Sequence, residues 1–238
     1  MLRDELRDVM VRHIYHSMLT KTIYAEHTIN KSLRQRNTML DLAFRLRTFE
    51  QLFTPYLNRL YRLVKSFNRI DVNNDLHIKE GRKLKTLTSE LYDNISSTQG
   101  NLSYSYSEII LTADSLLFSL LKAKHYLWRD RLYISILSGV VNDLILEEKH
   151  CSLGLWIHGE GFKRFHHLSD FHDFDLRHHL LHKVVDDFLN RELNRLNPHE
   201  LQTLLIDIED KSQNLVMALD KLDDKINILN QSPLSLSK

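Results

Sequence analysis

Residues 197–229 read NPHELQTLLIDIEDKSQNLVMALDKLDDKINIL. Asn197 offers a side-chain oxygen to an unpaired N–H of a helix start. Pro198 suits the first helical position, and Glu200 stands where a capping box needs an acid. Leu201, Leu205, Ile208, Ser212, Leu215, Leu219, Leu222, Ile226 and Leu229 then recur at spacings alternating four and three. That is a heptad seam about four repeats long, interrupted only by Ser212. Two readings fit it. The seam is one wall of an antiparallel bundle, or it serves dimerisation or contact with another helix.

The same period runs through most of the chain. Leu2, Leu6, Val9, Ile14, Met18 and Ile23 share a face over residues 2–30, and Leu42, Leu46, Phe49 and Phe53 continue it over 38–53. Thr54-Pro55 reads as a cap followed by a first-turn proline, so a new helix or a kinked continuation is expected over 55–68. Asp71-Val72-Asn73-Asn74-Asp75 begins like a calcium loop. However, Leu76 stands where that loop needs Gly and Arg82 where it needs Glu, so a polar turn is expected. Residues 78–95 read as helix, Ser96–Asn101 as a linker, and 105–137 as a long apolar-rich helix weakened by Gly139 and Asn142. The stretch 150–173 shows no clean period, and 175–195 is helical again. The expected fold is all-α: an antiparallel helical bundle over 101–232, preceded by an N-terminal helical region (1–100) and followed by a frayed tail (233–238).

Composition agrees. The chain has 238 residues, 42% hydrophobic and 26% charged, with only 6 Gly and 3 Pro. So few turn residues argue against a sandwich or barrel, and no Gly-rich phosphate loop is present. No apolar run approaches the ~20 residues of a membrane span. Met1–Glu5 carries acids rather than the apolar core of a secretory signal. Cys151 is the single cysteine, which excludes an intrachain disulfide framework. A cytoplasmic protein is expected. Residues 1–100 hold 17 Lys/Arg against 11 Asp/Glu, and residues 101–238 hold 15 against 20. The basic side chains are scattered rather than striped, so no nucleic-acid partner is expected.

Histidine is the informative count. Nine of 14 lie between His125 and His182, together with Cys151 and four of the six glycines. His178 and His182, four apart, stack on one helix face about 5–6 Å apart at Cβ and can grip one ion. His179, three before His182, competes with His178. Cys151-Ser152-Leu153-Gly154-Leu155-Trp156 places a thiol before a glycine that allows a tight bend. His125 sits beside Trp128 on an apolar stretch, where a buried imidazole needs a partner. Three neutral imidazoles and one thiolate suit tetrahedral Zn²⁺ and leave no position for a catalytic water. Carboxylate-bridged iron would want Glu-xx-His pairs, which are missing. A Cys–His nucleophile would need an oxyanion hole that the sequence does not show. A metal-free buried histidine cluster is the plain alternative. His150, His158, His166, His167 and His172 read as surface groups, and Asp175 or Asp186 could accept a free ring N–H of a ligand.

These residues resemble the chemoreceptor zinc-binding domain family, CZB. Its pattern is a His with an aromatic three residues on, then Cys-x-[Leu/Phe]-Gly-x-Trp, then His-xxx-His. His125, Trp128, Cys151, Leu153, Gly154, Trp156, His178 and His182 match it in order, over about residues 105–230. The resemblance implies a four-helix-bundle-like fold that often dimerises, with His125, Cys151, His178 and His182 as zinc ligands. It favours His178 over His179 by spacing. It also implies sensing of zinc and, through the zinc-bound thiolate, of oxidants such as hypochlorous acid. The family occurs in cytoplasmic chemoreceptors and in a zinc-inhibited diguanylate cyclase. This chain has neither a cyclase signature nor a chemoreceptor signalling hairpin.

The functional expectation is a cytoplasmic zinc-binding sensor, not an enzyme, that acts as a homodimer on a signalling protein partner through changed helix packing. A structural, zinc-stapled scaffold or dimerisation module is the alternative.

Overall fold

A computed structural model describes residues 4–67, 78–138, 146–192 and 195–231. Among them the chain is all helix, with no strand. The calcium-loop-like turn over 71–77 and the tail 233–238 lie outside the described residues. The elements are α1 (Asp4–Phe67), α2 (Ile78–Ser138), α3 (Ser152–Trp156), a π-turn (Ile157–Gly161), α4 (Phe162–Phe165), α5 (Ser169–Leu189) and α6 (Pro198–Gln231).

One open reading is decided in α1, and one expectation fails in α2. The first helix is one element of 64 residues with Pro55 inside it, so of the two readings at Thr54-Pro55 the continuation holds and the new helix does not. The apolar period passes through Pro55 without a phase change, from Leu46 and Phe53 to Leu57, Leu60 and Val64, and packing along that face carries the helix across. Thr54 instead accepts a hydrogen bond from Gln99 Nε2 at 3.1 Å. The second helix likewise runs through Ser96–Asn101 rather than breaking there. Its hydroxyls bond back to their own helix: Thr98 Oγ1 donates to Asn94 O at 2.8 Å and Thr88 Oγ1 to Leu84 O at 2.7 Å. Such back-bonding lets a Ser/Thr-rich run stay helical when tertiary contacts favour it.

The contacts divide the chain into Gln35–Asp114 and a second unit made of Met1–Arg34 with Ser115–Lys238. In the first, α1 and α2 run antiparallel. Residue numbers fall on one helix as they rise on the other, from Arg36 Nε donating to Ala113 O at 3.0 Å to Arg47 Nη1 donating to Tyr106 Oη and the Tyr61–Tyr92 ring pair. Its most buried groups are Ala43, Ala113 and the ion pair of Arg36 with Asp114 at 3.5 Å.

The larger unit holds the core. Leu117, Phe118, Leu121 and Leu132 of α2 meet Phe171, Phe174, Leu181, Val185 and Phe188 of α5. Ile208, Leu215, Leu219, Leu222 and Ile226 of α6 close the third side, and Leu33 of α1 packs against them. The α6 seam is therefore a wall of this bundle. Its start is a complete capping box: Glu200 N–H donates to Asn197 Oδ1, and Asn197 N–H to Glu200 Oε2, both at 2.9 Å. The irregular stretch expected over 150–173 is a chain of short helical turns, and α5 begins at Ser169, earlier than expected. Trp156 anchors these turns among Phe118, Phe165, Phe171 and Phe174, at ring distances of 5.6–6.1 Å.

Candidate metal centre

The helical period of α5 puts His178 and His182 on its buried face, with ring centroids 4.7 Å apart. Cys151 reaches them from outside α5. It is the N-cap of α3, in extended conformation, and its Sγ accepts the Gly154 N–H at 3.3 Å. Gly154 is required for that turn: a Cβ there would lie 1.9 Å from the carbonyl oxygen of Glu148. The turn delivers Cys151 Sγ to 3.1 Å from His178 Nε2. One donor atom each from Cys151, His178 and His182 lies within 4.8 Å of the others, and all three residues are buried.

That arrangement fits a metal ion. Zn–S and Zn–N bonds of ~2.3 and ~2.0 Å in a tetrahedron put donors roughly 3.3–3.6 Å apart. The tautomers fit as well. His182 Nδ1–H donates to the Leu146 carbonyl at 2.9 Å, which leaves Nε2 with its lone pair for an ion. His178 turns Nε2 toward the sulfur, while its Nδ1 is buried without a hydrogen-bond partner. Carboxylate oxygens of Glu148 and Asp175 lie within 4.8 Å of a His178 nitrogen.

Electrostatics prepare the donors. Burial, then the neighbouring imidazoles, lowers the His178 pKa to about 3. Burial also lowers that of His182, opposed in part by its bond to Leu146. Both rings are therefore neutral at pH 7, the form that ligates. Burial pushes the Cys151 thiol up, against the pull of the Gly154 and Leu153 N–H groups. Without a cation the sulfur keeps its proton, and an ion that binds must displace it. A cavity of about 90 Å³ lies beside the donors. Its lining includes His125, Trp128, and the Glu26–Arg131 ion pair, which links α1 to α2 at 2.5 Å.

The structure places the other candidates as follows. His125 is buried and lines the same cavity, but it stands outside the three-donor group and its Nε2 meets Ser212 Oγ at 2.8 Å. Burial, then Arg129, lowers its pKa to about 3. His179 points outward to Glu148 at 2.8 Å. His150, His158, His166, His167 and His172 are exposed. Trp128 lies between two candidates, 6.3 Å from the His125 ring and 5.0 Å from that of His182. Sequence reasoning did not assign Ser212, Arg129, Glu148 or the Leu146 carbonyl to the site. Only Ser212 carried a signal, as the one polar residue in the α6 seam.

Among the described residues, no helix is long and apolar enough to cross a membrane. No protein-family model, curated protein or solved structure matches this chain.

Proposed function

We propose that this chain is a zinc-binding regulatory protein of the CZB kind, with His125, Cys151, His178 and His182 as the ligand set. The observation that carries the reading is the buried, uncharged Cys151–His178–His182 donor group. Zinc would join the turn before α3 to α5, adding to the His182–Leu146 and His179–Glu148 hydrogen bonds that already link these segments. Loss of zinc, or oxidation of the Cys151 sulfur, removes that tie and loosens their packing. In this reading the change in helix packing passes to a signalling protein partner, and the protein is a homodimer in a reducing compartment that keeps Cys151 a thiol. It carries out no catalysis, because four protein ligands leave the ion no position for substrate.

The test is metal content by mass spectrometry of the purified protein, beside Cys151→Ala. About one zinc per chain in the wild type, with at least a tenfold loss of affinity in the variant, is the expected result. Equal metal content in both would overturn it. Zinc that survives mild hypochlorous acid and excess chelator would instead favour a permanent staple, the scaffold reading.

A further inference from the structure

His125 is the one member of the proposed ligand set outside the Cys151–His178–His182 group, and its Nε2 is held by Ser212. Its partner Ser212 is fully buried, at 0% exposure, at the polar break in the α6 seam. Ser212 Oγ also accepts from Arg129 Nη1 at 3.3 Å, and the same Nη1 donates to Glu209 at 2.7 Å. Tyr133 Oη donates to the other Glu209 oxygen at 2.5 Å. Arg129 has only donors, so it uses a lone pair of the Ser212 oxygen. Whichever group supplies the proton shared by Ser212 and His125, the Nε2 held there is not free for an ion. To bring that Nε2 to Cys151, His178 and His182, the His125 ring has to turn within the cavity and give up Ser212, whereas ligation through Nδ1 would leave the Ser212 bond in place.

We infer that Ser212 competes with the metal for His125, so that capture of the fourth ligand is an exchange of one buried partner for another. The inference rests on the zinc reading above and deepens it. Ser212 is then a positioning residue that sets zinc affinity from α6. The exchange also gives α6 a local signal of occupancy, since the Arg129–Glu209–Tyr133 network loses one member when zinc binds. A heptad seam gains nothing in packing from a serine at a core position, and this role accounts for the hydroxyl.

The test is zinc affinity by competition with a chelating dye, measured for wild type, Ser212→Ala, Ser212→Thr, His125→Ala and the His125→Ala/Ser212→Ala pair. Circular dichroism checks that each variant is folded. Removing a buried hydrogen bond from the metal-free state alone should tighten zinc binding roughly five- to tenfold in Ser212→Ala. Ser212→Thr keeps the hydroxyl and should stay near wild type. In the His125→Ala background the Ser212→Ala change should have no effect on affinity. A merely structural role for Ser212 would weaken binding and would do so with or without His125. Unchanged or weaker zinc binding in Ser212→Ala, with wild type binding one zinc, overturns the exchange and leaves the zinc reading standing. Should Ser212→Ala fail to fold, long-range ¹⁵N spectra of the wild type decide. The His125 Nε2 resonance must move from hydrogen-bonded to metal-bound on zinc addition, and an unmoved resonance overturns the proposal. A wild type that binds no zinc overturns both.

Discussion

Cys151 can reach His178 only because residue 154 has no side chain. The carbonyl of Glu148 occupies the place a Cβ would take, at 1.9 Å, and backbone cannot step aside as a flexible side chain can. Gly154→Ala should therefore destabilise the metal-free protein by roughly 2 kcal/mol or more, in the range of overpacked sites. It should also weaken zinc binding, because the same turn aims the sulfur. Chemical denaturation with and without a chelator measures both. Stability within ~0.5 kcal/mol of wild type would mean that the Glu148–Lys149 backbone yields freely. At this scale the i,i+4 histidine pair and the Cys-x-Leu-Gly run were legible in the sequence, because their geometry is local. The partner of His125 was not, since Ser212 lies 87 positions away.

Elements were legible where chemistry and period agreed. Asn197 and Glu200 form the reciprocal cap that their spacing predicts, and α6 follows its seam. Where a local signal met a long apolar face, the sequence left the break open at Thr54-Pro55 and misjudged it at Ser96–Asn101. Thr54-Pro55 and Ser96–Asn101 carry residues that favour caps and turns, but both lie inside helices. An interior proline removes one backbone hydrogen bond and crowds the preceding turn, at ~3 kcal/mol. Pro55→Ala should therefore raise stability by roughly 1–3 kcal/mol, seen as a higher thermal midpoint. If Pro55 instead opened a new helix, the substitution would be neutral or harmful, and that outcome would count against a continuous α1.

The whole molecule responds to pH through its buried imidazoles. His125 and His178 titrate at about 3 when folded, against 6.5 as the ordinary value. The unfolded chain therefore binds more protons than the folded one between those values. Stability of the metal-free protein is fully present above about pH 6.5 and is lost as pH falls below it. The slope approaches two protons, each ~1.4 kcal/mol per pH unit. Zinc affinity adds its own dependence. With the histidines already neutral, binding near pH 7 releases the one Cys151 proton, so affinity should rise about tenfold per pH unit while the thiol stays protonated. Denaturant midpoints between pH 4 and 7.5, with and without chelator, check both. A flat profile for the chelated protein would show that these rings are not held neutral by burial.

The sequence by itself determined the helical class, the start of α6, its seam and the two histidines that share a face of α5. Each follows from the 3.6-residue period or from a capping pattern that closes within four residues. Tertiary structure decided between the two readings at Pro55 in favour of continuation, and it alone decided that α2 runs unbroken, that the seam serves the chain's own core, and that Cys151 meets His178. It also decided that His125 rests on Ser212. These outcomes depend on which apolar faces find one another, and on the desolvation that follows when they do. Neither quantity is written in the spacing of neighbouring residues.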